Sequence, residues 1–124
     1  MAKIDLTLHP ERLERTIRRV RERNIIIPTY AQMKNPALIP DKIKKDLGSI
    51  GLWDIHPRNL FRITWQNEPK ASGGTYTGVN YFELPSSVTG VPARIIGVVG
   101  KWFPTGAHKV GAAFSCLVPR LVTG

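Results

Sequence analysis

Residues 93–113 carry the pattern that decides the fold, and they read Ala-Arg-Ile-Ile-Gly-Val-Val-Gly-Lys-Trp-Phe-Pro-Thr-Gly-Ala-His-Lys-Val-Gly-Ala-Ala. The largely apolar run over 93–99 predicts a β-strand that is buried on both faces. The triplet Pro-Thr-Gly at 104–106 predicts a turn. Beyond it, apolar residues predict a helix over 109–122, which Lys109 opens. We therefore expect a strand, a turn and a helix whose first residue is a lysine.

Helices are also predicted upstream of this stretch. Residues 10–23 begin with a proline suited to the first helical position and place Leu13, Ile17 and Val20 on one face. A second, short helix is predicted from Asp41, with Gly48 at its C-terminal end.

Two further strands are predicted, over residues 60–65 and 79–84, because both runs are rich in aromatic and branched residues. Pro119 falls inside the last helical pattern, so we expect that helix to kink or end near Val118. The chain is expected to form one unit, with a helical leader over 1–58 and strands plus the strand–loop–helix segment over 59–124.

Composition limits the classes of protein that the chain can represent. It has 124 residues, 42% hydrophobic and 22% charged, which is typical of one globular domain. No apolar run reaches the roughly 20 residues that span a bilayer, and the N-terminus lacks the apolar core of a secretory signal. A single cysteine excludes an internal disulfide framework, so we expect a cytoplasmic protein without membrane partners.

The string Thr105-Gly106-Ala107-His108-Lys109, followed by Gly111-Ala112, resembles the cofactor-lysine segment of fold type II pyridoxal-phosphate enzymes. This family includes the tryptophan synthase β subunit, the cysteine synthases and the threonine dehydratases. The resemblance covers Ile25 to Gly124, and residues 40–43, 51–55 and 57–62 look like the family's leader. It implies an α/β, three-layer αβα fold, of which this chain would be the incomplete N-terminal part.

The resemblance also implies roles for four residues. Lys109 would carry pyridoxal 5′-phosphate as a Schiff base, and His108 would help to neutralise the cofactor phosphate. Thr105 and Gly106 would shape the surrounding loop, Gly106 by allowing a positive φ angle. A free lysine has a pKa near ~10.4, whereas burial and the positive end of a helix dipole both favour the neutral, reactive amine. A lysine that opens an apolar helix is expected to meet both conditions.

The implied reaction class is β-elimination or β-replacement on an amino-acid substrate. Enzymes of this family bind the cofactor phosphate in a glycine-rich loop well after the lysine, and the chain stops at Gly124 before such a loop. We therefore expect the remainder of the enzyme, or a second chain, to carry that loop. The complete protein is expected to be a homodimer, and this chain alone to be a poor catalyst.

Two other functions stay open. The net charge of +9 and the arginines within 10–23 are compatible with a basic module that binds RNA or an acidic protein. Ion pairs at i,i+3 and i,i+4 on a solvated helix are the plainer interpretation, and nucleic acid is an unlikely partner. The chain could also be a non-catalytic subunit that a partner chain completes.

Rival sites are weaker. Residues 72–78 are glycine-rich, but they predict a hairpin connection better than a phosphate cradle. The three histidines lie far apart, so no metal site is predicted. Cys116 is expected to be buried, and Trp53, Trp65 and Trp102 are expected to serve packing.

Overall fold

The computed structural model describes residues 7–67, 76 and 78–123. Five α-helices and two β-strands lie in this part of the chain: α1 (Pro10–Glu22), α2 (Tyr30–Lys34), α3 (Asp41–Leu47), β1 (Tyr81–Leu84), α4 (Ser86–Thr89), β2 (Ile95–Val98) and α5 (Lys109–Thr123). Three short 3₁₀ helices connect them, at Pro36–Leu38, Pro57–Arg62 and Pro104–Gly106. No helix within the described ranges is both long and apolar enough to cross a bilayer.

Helix α1 forms where the sequence predicts it, with Pro10 at its start. It packs against α5, from the far end of the chain. The His9 N–H donates to the Val122 carbonyl at 3.1 Å, and the Thr16 hydroxyl donates to the Leu121 carbonyl at 2.7 Å. The expected ion pairs are not found, since those formed within the described residues are Asp41–Lys44, Asp46–Arg58 and Glu83–Arg94.

Helices α2 and α3 build the first of two hydrophobic clusters. A reciprocal cap starts α2, in which the Thr29 hydroxyl and the Gln32 side chain each accept the other residue's backbone N–H. Helix α3 is confirmed. Ile43 and Leu47 lie on its buried face and pack in one cluster with Ile39 and Phe61.

The prediction of a strand over 60–65 is wrong. Pro57–Arg62 forms a 3₁₀ helix instead, begun by a proline and capped by the His56 side chain, whose Nδ1 accepts the Arg58 N–H. Successive residues Phe61 and Arg62 are both buried, which the alternating faces of a half-exposed strand do not allow. Local capping therefore outweighs the β-propensity of this run.

Strands β1 and β2 pair antiparallel, with Tyr81 opposite Val98 and Leu84 opposite Ile95. The strand predicted over 79–84 is confirmed as β1. The prediction that 93–99 is buried on both faces is wrong for the described residues. Every apolar side chain of β2 is exposed, from 38% for Ile95 to 48% for Ile96, because within the described ranges the sheet has two strands and no other element covers it.

Helix α5 begins at Lys109, as predicted, but it does not end near Val118. It continues through Pro119 to Thr123, whose hydroxyl donates to the Pro119 carbonyl at 3.0 Å. Packing of its last turns on α1 compensates for the N–H that proline lacks. Phe114 joins Ile63 and Phe103 in the second hydrophobic cluster.

Candidate functional site

The loop between β2 and α5 is held at its start and in its middle. At its start, the Val99 N–H donates to the Asn80 carbonyl at 2.8 Å. At its centre, the Thr105 N–H donates to the Leu52 carbonyl at 3.0 Å, which ties the loop to the leader. Phe103 and Pro104 are buried, so the loop is anchored by packing as well as by hydrogen bonds.

Two consecutive residues of this loop adopt left-handed backbone. Gly106 has φ +68°, as the sequence predicts, and Thr105 has φ +62°. The left-handed region is uncommon for a residue with a side chain and strains the backbone by about 1–2 kcal/mol. These two residues redirect the chain toward the first turn of α5.

Lys109 is the first residue of α5, and its side chain is exposed. The structure therefore places Lys109 at the start of the helix, but not in a buried position. The expectation that Lys109 is buried is therefore wrong for this chain. Exposure does leave the amine open to an incoming aldehyde.

His108 is exposed and lies against Trp65, with 5.8 Å between ring centroids and 31° between ring planes. Trp65 also contacts Phe103 edge to face at 4.9 Å, so its indole joins the buried cluster to the histidine. A side chain at Gly100 would come within 3.1 Å of the His108 Cβ, so glycine permits this close approach. Sequence analysis missed the role of Trp65, which no local pattern connects to residue 108.

A buried arginine, Arg62, holds the end of the leader together. The Arg62 guanidinium is 1% exposed and donates to the carbonyls of Leu47 at 2.7 Å and Ile50 at 2.9 Å. It also donates to the Asn59 side chain. Burial lowers the pKa of Arg62, an effect that Tyr76 and then Asp54 oppose. Burial likewise raises the pKa of Tyr76 to about 12, with Arg62 acting in the opposite direction.

Asn67 connects this arginine to the lysine loop. Its side-chain amide, 1% exposed, donates to the Trp102 carbonyl and, at 3.4 Å, to the Arg62 carbonyl. The Asn80 side chain donates to the Asn67 carbonyl at 3.0 Å. The loop before Lys109 is thus positioned by polar residues far away in the sequence, which motif analysis did not identify.

The predictions for Cys116 and Trp53 are wrong. Cys116 is exposed and not buried, and Trp53 is 74% exposed, so it does not serve packing. Residues 72–75 and 77, in the rival glycine-rich segment, lie outside the described residues. Across the described ranges, no three histidine, cysteine, aspartate or glutamate residues form a group that could hold a metal ion.

The four residues singled out from the sequence thus lie on one loop and one helix start. Thr105 and Gly106 form the turn, and His108 and Lys109 follow it with exposed side chains. Comparison of the chain with protein-family models, curated proteins and solved structures gave no match.

Proposed function

We propose that this chain is the N-terminal segment of a fold type II pyridoxal-phosphate enzyme that acts on amino acids by β-elimination or β-replacement. In this proposal Lys109 is the residue to which pyridoxal 5′-phosphate attaches. The observation that carries the proposal is the position of Lys109 at the first residue of a 15-residue helix, three residues after the left-handed Gly106.

The residues present fit the cofactor's chemistry in three ways. The exposed Lys109 amine can reach an aldehyde. The Val110 and Gly111 N–H groups already donate to the Ala107 and His108 carbonyls, so it is the positive end of the α5 dipole that favours an anion such as phosphate. His108, whose ring lies against Trp65, adds an imidazole one residue before the lysine.

When bound, the cofactor supplies the electron sink for the reaction. The tasks of this chain are then to attach it and to move a proton. Lys109 serves as the attachment point and, once released, accepts or donates a proton at Nζ. His108 balances the phosphate charge, and the turn at Thr105 and Gly106 orients the amine.

The exposed β1–β2 sheet supports the larger fold that the proposal requires. Its apolar residues face solvent on both sides, among them Tyr81 at 55% and Phe82 at 53% exposure. Such a surface favours burial against further protein. We propose that this surface becomes part of a three-layer αβα enzyme, cytoplasmic and homodimeric, whose remainder or second chain supplies the phosphate loop.

Reductive labelling tests the site. The chain is incubated with limiting pyridoxal 5′-phosphate, reduced with borohydride and digested for mass spectrometry. We expect labelling at Lys109 faster than at any other lysine, and faster with the phosphorylated aldehyde than with pyridoxal. The Lys109→Arg variant should lose this label, and Lys101→Arg, changed in the same loop, should keep it.

Two results would contradict the assignment. One is equal labelling of Lys109 and the other exposed lysines. The other is a Lys109 label that is indifferent to the phosphate group of the reagent. Either result would leave the alternatives, a basic module that binds RNA or an acidic protein, or a non-catalytic subunit.

A further inference from the structure

An apolar groove runs between α1 and the C-terminal half of α5. It encloses about 510 Å³. Its floor is formed by aliphatic side chains of the two helices: Leu13, Ile17, Val20, Val118, Leu121 and Val122. Several lining residues are partly open to solvent, including Ile17 at 39%, Leu121 at 50% and Tyr30 at 52% exposure.

We infer that this groove binds an amphipathic helix of a partner protein, with its apolar stripe on the groove and acidic residues beside the stripe. An apolar groove between two packed helices is a usual receptor for a helix that presents anchors at i, i+4 and i+7. Helix α1 has 13 residues and is therefore about 20 Å long, so it can accommodate about four turns of a partner helix.

The basic charge of α1 favours a partner with acidic residues beside its apolar stripe. Arg21 is the charged side chain among the described residues that line the groove. Arginines outnumber glutamates in α1, and none of these arginines forms an ion pair within the described ranges. An acidic partner residue beside the apolar stripe would therefore pair with Arg21 at little cost in competing interactions.

Other occupants fit less well. A second copy would bring another basic chain of net charge +9 against Arg21. Single-stranded RNA needs aromatic stacking platforms, and Tyr30 is the aromatic residue among those that line the groove. A membrane surface favours a continuous apolar stripe that faces outward, whereas Leu13 and Val20 are only partly exposed and line a groove shared with α5.

The inference does not depend on the cofactor proposal, because no residue of the loop before Lys109 lines the groove. A direct test uses a fluorescent designed peptide of about 14 residues with leucines at i, i+4, i+7 and i+11 and flanking glutamates. A second peptide has lysines in place of the glutamates. Fluorescence anisotropy measures the binding of each to the 124-residue chain.

We expect the acidic peptide to bind more tightly than the basic one, and to weaken as salt rises. Leu121→Asn should weaken binding about tenfold, the contribution of one buried leucine. Leu117→Asn is the matched control, since Leu117 is 65% exposed on the same helix and lies outside the groove. Arg21→Gln should cost about threefold, and Arg12→Gln nothing measurable. Circular dichroism checks that each variant retains its helices.

Four outcomes would overturn the inference. The first is no preference for the acidic peptide, and the second is equal loss in Leu121→Asn and Leu117→Asn. The third is a dimer of the chain that Leu121→Asn dissociates, which assigns the groove to a second copy. The fourth is saturable binding of RNA or anionic vesicles, lost in Arg21→Gln, with no binding of the acidic peptide. If Leu121→Asn unfolds, the comparison of Arg21→Gln with Arg12→Gln decides the matter.

Discussion

Replacement of Arg62 by methionine should destabilise the chain more than any exposed substitution. Methionine keeps most of the volume of the arginine stem and removes the guanidinium. Among the described residues, the hydrogen bonds that disappear with it are those to Leu47, Ile50 and Asn59. The Leu47 carbonyl retains the Ile50 N–H at 3.2 Å, so the Ile50 carbonyl and the Asn59 oxygen are the acceptors that lose most.

The expected size follows from these contacts. A hydrogen bond from a charged donor contributes about 1.5–3 kcal/mol, and a buried acceptor left without a donor costs about 1–3 kcal/mol. Against this, methionine avoids the desolvation of the guanidinium, the same burial that lowers the pKa of Arg62. The balance is a loss of about 3 kcal/mol, a large part of the 5–15 kcal/mol typical of a whole domain.

Urea unfolding followed by tryptophan fluorescence measures this loss. With a slope of about 2 kcal/mol per molar urea, the midpoint should fall by about 1.5 M. Arg94→Met is the control, because its guanidinium side chain is 71% exposed and pairs with Glu83 at the surface. If Arg62→Met lowers the free energy of unfolding by less than about 1 kcal/mol, or by no more than Arg94→Met does, the hydrogen bonds of Arg62 do not stabilise the leader.

Three further predictions concern the core, pH and the turn. Phe114→Ala should lower the free energy of unfolding, measured in urea, by about 3–5 kcal/mol, because Phe114 is 6% exposed and packs edge to face on Tyr30 at 6.0 Å. A loss equal to that of Leu117→Ala, at an exposed position, would contradict the core position of Phe114. Tyr76 has a pKa of about 12 when folded and about 10 when unfolded, so its contribution to stability is complete below pH ~10 and is lost as pH rises toward 12. Tyr76→Phe should remove that decline from urea midpoints measured across this range. Gly106→Ala should lower the free energy of unfolding by about 1–2 kcal/mol, because the φ of +68° is unfavourable for alanine although an added Cβ would meet nothing closer than 3.6 Å. Gly106→Asn should lower it by less, since asparagine tolerates this φ better.

Elements with a local signal were predictable from the sequence. Helix α1 follows from Pro10 and its apolar stripe, and the start of α5 follows from the turn before Lys109. The positive φ of Gly106 follows from the same turn. In each case, residues within one or two turns of chain determine the conformation.

Features that depend on distant contacts were not predictable. The apolar run that forms β2 would suit a covered strand as well as an exposed one, so the exposure of β2 could not be inferred from its sequence. The buried link from Asn67 to the Trp102 carbonyl joins positions that share no pattern. The same holds for the contact between Trp65 and His108. The passage of α5 through Pro119 depends on support from α1, which a single helical segment does not reveal.

The β1–β2 ribbon has a consequence for handling the protein. Both of its outer edges present backbone N–H and C=O groups that no third strand in the described chain satisfies. Such edges recruit strands from neighbouring molecules, and the apolar faces of Phe82 and Ile96 stabilise the stack that results. The charged side chains of Glu83, in β1, and Arg94, just before β2, oppose this stacking. Neutralising either side chain should therefore lower the concentration at which the chain begins to form fibrils.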